Sequence, residues 1–248
     1  MSKSVSVLVT GSSGRVGRAA VAELLRRGHA ARGYDLAPNP ALRDCVIGNL
    51  LDRAALARAM EKIECLVHLA ATPDDDDFLT SLLPNNITGF FHVMEAARLA
   101  GVRRIVLAST GQVNWWQQST GPFPIRPEDP PSPKSWYAAT KMFMEAAGRS
   151  FVEMHGISVI VARLGWCPRT PEQVAEIAAS EFFRDVYFSP GDVGRFFACA
   201  VGAPSEVRHA VVYGTSRALV QARFDLSSAE KLLGYVPQES WPQGSMDF

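Results

Sequence analysis

Residues 5–17, which read Val-Ser-Val-Leu-Val-Thr-Gly-Ser-Ser-Gly-Arg-Val-Gly, decide the fold class of this chain. The stretch begins with an apolar run typical of a strand, and after the glycines it continues into residues with helical periodicity. Gly11, Gly14 and Gly17 stand where a tight turn, a nearby phosphate and close helix packing each exclude a Cβ atom. The pattern predicts a strand, a turn and a helix whose N-terminus faces the phosphates of a dinucleotide.

Asp35 lies 18 residues beyond Gly17, at the end of the second predicted strand. A carboxylate at this position can accept hydrogen bonds from an adenosine ribose, and it repels a 2′-phosphate. The sequence therefore favours NAD over NADP as the cofactor. Arg15 and Arg32 keep NADP as the alternative, because either guanidinium could pair with a phosphate.

Segments with strand character alternate with segments of helical period along the chain, which is typical of a parallel sheet covered by helices. The predicted strands are Val5–Thr10, Ala30–Asp35, Cys45–Ile47, Cys65–Ala70, Arg104–Ser109 and Ile157–Arg163. The predicted helices are Arg15–Arg27, Arg53–Lys62, Asn86–Ala100 and Pro133–His155. We expect an α/β fold with a Rossmann-like, doubly wound parallel sheet and helices on both faces.

The length of 248 residues favours a single domain, residues 1–248, in which residues 164–248 add a small substrate-binding cap. Six prolines between residues 110 and 133 predict an irregular connection, and Ser132 is the expected N-cap of the helix that follows. The acidic run Asp74–Asp77 is interpreted as a solvated loop or the start of a helix.

Composition excludes several classes of function. Equal numbers of basic and acidic residues, 25 each, leave no broad positive surface for nucleic acid. No segment approaches the roughly 18 apolar residues of a membrane-spanning helix, and residues 1–11 lack a signal-peptide pattern, so we expect a cytoplasmic protein without a membrane partner. The four cysteines are scattered and predict no metal site.

Tyr137 and Lys141 are separated by four residues in a predicted helix, so their side chains share one helix face. An ammonium group beside a phenol favours the phenolate and lowers the phenol pKa from its usual value of about 10. The pair therefore predicts a tyrosine that can exchange protons with a substrate.

These motifs together resemble the extended short-chain dehydrogenase/reductase superfamily, and the resemblance covers nearly the whole chain. The matching patterns are the glycine spacing at residues 11–17, Tyr-x-x-x-Lys at residues 137–141 and a hydroxyl-rich stretch at residues 108–113. The resemblance implies that Tyr137 and Lys141 are catalytic. It also implies that Thr110 hydrogen-bonds to the reacting oxygen, with Ser109 as the alternative holder of that role.

The same resemblance implies a set of cofactor-binding residues. Gly48–Asp52 resembles a segment that contacts adenine, although Asn49 replaces the usual acid, and residues 68–71 and 86–89 resemble two further cofactor-contacting turns. The implied residues are Gly11, Ser13, Gly14, Arg15, Val16, Gly17, Asp35, Asn49, Leu50, Leu69, Ala70, Ala71, Asn86, Lys141 and Leu164.

Within the superfamily the chain looks most like the uronate dehydrogenases, because only 85 residues follow Arg163. Those enzymes oxidise the anomeric carbon of a free hexuronic acid with NAD. The arginine expected to hold the carboxylate falls near Glu181 and Phe182, neither of which is cationic. The implied substrate-contacting residues are Thr72, Gly111, Gln112, Trp166, Arg169 and Arg184.

The resemblance leaves three functions open. The first is an NAD-dependent oxidoreductase for a sugar or sugar acid, and the second is an epimerase or dehydratase of sugars or nucleotide sugars that holds NAD tightly. The third is a sensor that binds NAD without turnover. A homodimer formed through the Tyr137 helix and its neighbour is a further expectation from the superfamily.

Overall fold

The structure is a computed structural model that describes residues 4–247. Within this range seven parallel strands form one sheet. The strands are β1 (Ser6–Thr10), β2 (Ala30–Asp35), β3 (Cys45–Ile47), β4 (Cys65–His68), β5 (Arg104–Thr110), β6 (Ser158–Leu164) and β7 (His209–Gly214). Their order across the sheet is β3-β2-β1-β4-β5-β6-β7.

Helices cover both faces of this sheet. They are α1 (Arg15–Arg26), α2 (Arg53–Met60), α3 (Phe90–Leu99), α4 (Trp115–Thr120), α5 (Trp136–His155), α6 (Pro171–Ala179), α7 (Glu181–Asp185), α8 (Pro190–Val201) and α9 (Ser227–Leu233). One apolar core joins α1, α8 and α9 to the sheet, and a second joins α2, α3 and α5 to its other face. The prediction of a doubly wound, Rossmann-like fold is confirmed.

The strand order reverses direction between β1 and β4. In a parallel sheet the loops on either side of such a point leave a crevice at the carboxyl ends of the strands. The glycine turn after β1 and the loop after β4 border this crevice. The topology therefore places the predicted dinucleotide turn at the expected position for a ligand.

The helix predicted over Asn86–Ala100 begins earlier in the structure. A π-helical segment, Phe78–Gly89, leads directly into α3 and includes Pro84. Asp77 caps the N-terminus of this segment: its carboxylate accepts the Thr80 N–H at 2.8 Å. The prediction placed the start after Pro84, since proline usually ends a helix; here the missing N–H is accommodated within wider π-helical turns.

The helix predicted from Pro133 begins at Trp136, and Ser135 caps it by accepting the Ala138 N–H at 3.1 Å. The predicted cap at Ser132 is wrong, because the Ser132 hydroxyl accepts the Gln117 N–H of α4 at 3.4 Å and the helix begins only after Ser135. The preceding connection is also more regular than predicted. It contains a short 3-10 turn over residues 111–114 and then α4.

Residues 164–247 contribute to the sheet as well as to the crevice. β7 pairs with β6 and α8 packs against α1, whereas residues near 166, 183 and 224 border the cavity described below. A separate substrate cap remains a prediction, and the proposed domain also includes residues 1–3 and 248, which lie outside the described range. From residue 4 to residue 247 no helix is long and apolar enough to cross a membrane.

Candidate active site

A cavity of about 670 Å³ opens at the carboxyl ends of the strands. Most of the predicted site residues line it: Gly11, Gly14, Arg15, Val16, Gly17, Asp35, Asn49, Leu50, Leu69, Ala70, Ala71, Ser109, Thr110, Gly111, Gln112, Tyr137, Lys141, Leu164, Trp166 and Arg169. The cavity wall does not include Ser13, Thr72, Asn86 or Arg184. The fold thus unites residues separated by up to 158 positions in the chain.

The glycine turn fits a phosphate group. Gly11 has φ +70°, and a Cβ there would lie 2.7 Å from the Ala70 nitrogen; a Cβ on Gly17 would overlap the Gly11 carbonyl oxygen. These contacts explain two of the glycines by packing alone. A Cβ on Gly14 would lie 3.5 Å from the Gly11 carbonyl oxygen, which is an ordinary contact distance. The protein therefore leaves room for a side chain at this position on the cavity wall.

Helix α1 begins beside Gly14 without a side-chain cap and without an acidic residue in its first turn. The first N–H groups of a helix lack partners within the helix, and together with the helix dipole they favour an anion. The open space at Gly14 and the uncapped start of α1 therefore fit the pyrophosphate of a dinucleotide.

Asp35 faces the cavity beside this turn, where its carboxylate accepts the Ser13 N–H at 2.8 Å. Arg32, a residue considered for NADP binding, instead pairs with Asp44 at 2.8 Å and does not line the cavity. Arg15 donates to the carbonyl oxygens of Gly244 and Ser245. The geometry at Asp35 therefore fits the ribose of NAD.

Replacing Asp35 with Ala is expected to raise the ratio of kcat/KM for NADP over NAD by about tenfold, equivalent to about 1.4 kcal/mol. The physical reason is the loss of a carboxylate that accepts from ribose hydroxyls and repels a 2′-phosphate. Steady-state assays with both cofactors measure the ratio. Asp44→Ala is the matched control, because Asp44 pairs with Arg32 outside the cavity; an equal change in both variants would refute the assignment.

Asn86 and Ser13, two residues predicted to contact the cofactor, bond to other parts of the protein in the structure. The Asn86 side chain accepts the Thr72 N–H at 2.8 Å and donates to the Thr140 hydroxyl at 3.2 Å. Asn86 thereby joins the loop after β4 to α5, and its contact with the cofactor stays a prediction. Ser13 donates its hydroxyl to the Ala37 carbonyl oxygen at 2.6 Å, so only its backbone supports the site.

Tyr34, a residue that the sequence analysis missed, shapes the part of the cavity next to Asn49 and Leu50. The Tyr34 hydroxyl donates to the Asn49 carbonyl oxygen at 2.7 Å, and the Asn49 side chain accepts the Leu51 N–H at 2.9 Å. These bonds hold the loop after β3 in place. The contact of Asn49 and Leu50 with adenine stays a prediction.

Tyr137, Lys141 and Thr110 meet at the opposite end of the cavity. The Lys141 ammonium lies 5.6 Å from the centre of the Tyr137 ring and donates to the Ala108 carbonyl oxygen at 2.9 Å. The Thr110 hydroxyl accepts the Gln112 N–H at 3.2 Å and lies near enough to the Tyr137 phenol to lower its pKa. The first turns of α5 and the end of β5 thus bring together the three groups that the sequence assigns to catalysis.

Burial controls the protonation of this cluster. It raises the pKa of Tyr137, and the nearby Asp74 charge raises it further, while Arg169 and the Thr110 hydroxyl lower it. Burial also lowers the pKa of Lys141 to about 8. The expectation that Lys141 lowers the Tyr137 pKa is wrong for this arrangement, because burial outweighs other effects and the ammonium points to Ala108.

A buried polar network lies behind these groups. Glu145 and Arg163 form an ion pair at 2.8 Å with side chains only 7% and 5% exposed. Ser109 donates its hydroxyl to Glu145 at 2.5 Å, and Arg163 donates to Asn114 at 3.0 Å. Ser109 and Thr110 both line the cavity, but the Ser109 hydroxyl is bonded to Glu145, whereas the Thr110 hydroxyl lies near the Tyr137 phenol.

Sequence reasoning missed Glu145 and Arg163, although Glu145 follows Lys141 by one helical turn. The role of Ser109 as an alternative to Thr110 therefore has little support, because the Ser109 hydroxyl is already committed to Glu145.

Gly111, Gln112, Trp166 and Arg169, which are predicted to contact the substrate, also line the cavity. Arg184 does not line the cavity; it is partly buried and donates to the Ala178 carbonyl oxygen at 3.1 Å. Further wall residues that the sequence analysis missed include Asp74, Lys134, Glu176, Phe182 and Phe183.

Comparison with known proteins shows the family to which the chain belongs. Residues 7–166 match the NAD dependent epimerase/dehydratase family. The chain is 32% identical to L-arabinose 1-dehydrogenase (NAD(P)(+)) of Haloferax volcanii, over 94% of this chain and 96% of the relative. It is 28% identical to uronate dehydrogenase of Pseudomonas syringae pv. tomato, over 94% and 82% of the two chains.

A solved structure has the same architecture. A variant of uronate dehydrogenase from Agrobacterium tumefaciens, complexed with NAD, superimposes with a TM-score of 0.79 and 26% identity, covering 96% of this chain and 86% of that one. The match to the family over residues 7–166, together with 32% identity to L-arabinose 1-dehydrogenase over nearly the whole chain, shows that this chain belongs to the NAD dependent epimerase/dehydratase family.

Proposed function

We propose that the protein is an NAD-dependent oxidoreductase that transfers hydride between a hydroxyl-bearing carbon of a sugar or sugar acid and nicotinamide. The single observation that carries this proposal is the continuous cavity. It joins the uncapped start of α1 and Asp35 at one end to Tyr137, Lys141 and Thr110 at the other. The arabinose and uronate dehydrogenases among its relatives have the same type of activity.

The residues divide the work by position. The start of α1 holds the pyrophosphate, Asp35 holds the adenosine ribose, and Lys141 is placed to hold the nicotinamide ribose. NAD, when bound, accepts the hydride that leaves the substrate carbon. The protein positions the substrate next to the nicotinamide and provides the charges and hydrogen bonds around the reacting atoms.

Proton transfer is carried out by Tyr137, with Thr110 beside it at the end of β5. Tyr137 takes the proton of the substrate hydroxyl through its phenol oxygen, while the Thr110 hydroxyl orients that substrate oxygen. Burial of this cluster excludes water and strengthens its electrostatic interactions. Because the Tyr137 pKa is raised, the rate of substrate oxidation is expected to increase with pH through the neutral range.

The proposal is tested by mixing purified protein and NAD with a panel of free sugars and sugar acids, and following NADH absorbance. Stoichiometric accumulation of NADH with one class of substrate is the expected result. Failure of every substrate, together with retained NAD binding by titration, would favour a sensor that binds NAD without turnover.

An epimerase or dehydratase is the second candidate, because the family contains both activities by name. Such an enzyme returns the hydride to its substrate, so it forms no net NADH. Chromatography of the sugars after incubation distinguishes this outcome from dehydrogenation.

We also propose a homodimer through the helices beside the site. Large apolar side chains are exposed on α5 (Trp136, Phe143 and Met154), on α3 (Phe91) and on the π-helical segment that leads into α3 (Leu79). Such residues mark an interface when they form a contiguous patch. Light scattering is expected to give twice the chain mass, and Phe143→Glu is expected to shift it toward one chain mass.

A cytoplasmic location stays a prediction.

A further inference from the structure

Two loops meet across the substrate end of the cavity. One follows β4 and contributes Asp74, and the other follows β6 and contributes Arg169. The Asp74 carboxylate accepts a hydrogen bond from the Arg169 guanidinium, which makes an ion pair. Gln173 on α6 accepts the Arg169 backbone N–H at 2.7 Å and supports the second loop.

This ion pair lies close to the catalytic phenol. The Asp74 charge raises the pKa of Tyr137 and the Arg169 charge lowers it, so both groups are within electrostatic reach of the phenol. The first loop is also tied to the catalytic helix, because Asp75 accepts the Tyr137 backbone N–H at 3.1 Å. A substrate whose hydroxyl reaches Tyr137 therefore lies beside Asp74 and Arg169.

The ion pair, whose Arg169 and Asp74 side chains are 39% and 51% exposed, lies where it can bias which substrate charge fits. A carboxylate on the substrate needs a cation that it can approach, and a guanidinium already paired with Asp74 offers little net attraction. Glu176 adds a second acid to the cavity wall. Sugar hydroxyl groups, in contrast, can both donate to Asp74 and accept from Arg169 without any unpaired charge.

Resting on the proposed function, we propose that Asp74 is a specificity-determining residue: by neutralising Arg169, it selects an uncharged aldose over the corresponding uronic acid. Removing the Asp74 charge leaves Arg169 available to a carboxylate. The variant Asp74→Asn keeps the size and hydrogen-bonding capacity of the side chain while removing its charge.

Lys134 is the competing cation at this end. Its ammonium lies 3.5 Å from the centre of the Trp115 ring, a cation–π contact that leaves its charge in place. If Lys134 binds a substrate carboxylate, the wild-type enzyme will prefer uronic acids and Asp74 will not control the choice. The experiment below separates this outcome from the proposal.

The test uses two sugar series that differ only at one ring substituent: arabinose, galactose and galacturonate, and xylose, glucose and glucuronate. The values of kcat/KM are measured by NADH formation for the wild type, Asp74→Asn and Asp76→Asn. Asp76 is the matched control, because it belongs to the same acidic run and bonds to Ser81 outside the cavity wall.

We expect the wild type to prefer an uncharged sugar of either series. Asp74→Asn is expected to raise the uronate-to-aldose ratio of kcat/KM by about tenfold or more, since a like-charge contact is removed, and Asp76→Asn is expected to leave it unchanged. The double variant Asp74→Asn/Arg169→Met should lose the gain, which identifies Arg169 as the group released.

A wild-type preference for uronates, or an unchanged ratio in Asp74→Asn with a native thermal transition, overturns the proposal. A gain that survives in the double variant but disappears with Lys134→Met also overturns it. NADH formation by the wild type with any of the six sugars upholds the proposed function whatever the ratio, whereas no NADH with all six overturns both.

Discussion

Tyr137→Phe is expected to lower kcat/KM by about 10²–10⁴-fold, the usual contribution of a positioned acid or base. The phenol oxygen is the atom that takes the substrate proton, and phenylalanine retains the ring that packs against Lys141 while removing that oxygen. The affinity for NAD, measured by calorimetry, is expected to change little, because Asp35 and the start of α1 lie at the other end of the cavity.

Tyr187→Phe is the matched control for this experiment. Its hydroxyl donates to the Gln243 carbonyl oxygen at 2.7 Å, and the residue does not line the cavity. We expect this variant to retain wild-type turnover. Equal turnover by the Tyr137 variant and the wild type would remove Tyr137 from the mechanism, whereas loss of NAD affinity in parallel would indicate a structural role.

The second large effect concerns stability. Glu145→Ala is expected to lower the free energy of unfolding by about 3–5 kcal/mol, because it leaves the Arg163 guanidinium buried without its partner carboxylate. The Ser109 hydroxyl loses its acceptor in the same variant. Urea denaturation followed by circular dichroism measures the change, and the slope of the transition should stay constant.

The same helix provides the control. Glu153 pairs with Arg149 at 2.8 Å, but both side chains are at least 60% exposed. Exposed pairs contribute about 0–1 kcal/mol, so Glu153→Ala is expected to be nearly neutral. The double variant Glu145→Leu/Arg163→Met should recover part of the loss, since it removes both buried charges. Similar destabilisation in Glu145→Ala and Glu153→Ala would contradict the buried-pair argument.

Together these two experiments separate the roles of neighbouring residues on α5. Tyr137 and Lys141 face the cavity, whereas Glu145 forms the buried ion pair with Arg163. The ion pair joins the catalytic helix to β5 and β6, so we expect its loss to disturb the position of Tyr137 as well as stability. A reduced kcat in Glu145→Ala under conditions where the variant is folded would show this coupling.

The most accurate sequence predictions concern local patterns. The glycine spacing predicted the turn after β1, because only residues without Cβ fit against Ala70 and the Gly11 carbonyl. The spacing of Tyr137 and Lys141 predicted one helix face, because the α-helical repeat is independent of its surroundings. Both are properties of a few consecutive residues.

Predictions that depended on partners distant in the chain were less complete. Asn86 was assigned to the cofactor, and in the structure its side chain bonds to Thr72 and Thr140. Arg184 was considered for the substrate, and it lies outside the cavity. In both cases the residue type was correct for the proposed role, but side-chain direction depends on the packing of other elements.

The amino-acid sequence by itself determined the alternation of strands and helices, the dinucleotide turn and the pairing of Tyr137 with Lys141, since each follows from backbone geometry over one or two turns. The tertiary structure alone decided that Ser109 bonds to Glu145 while Thr110 lies near Tyr137, and that Asp74 forms an ion pair with Arg169. Charges and hydroxyl groups acquire their partners only when the chain folds, because those partners lie up to 95 residues away along it.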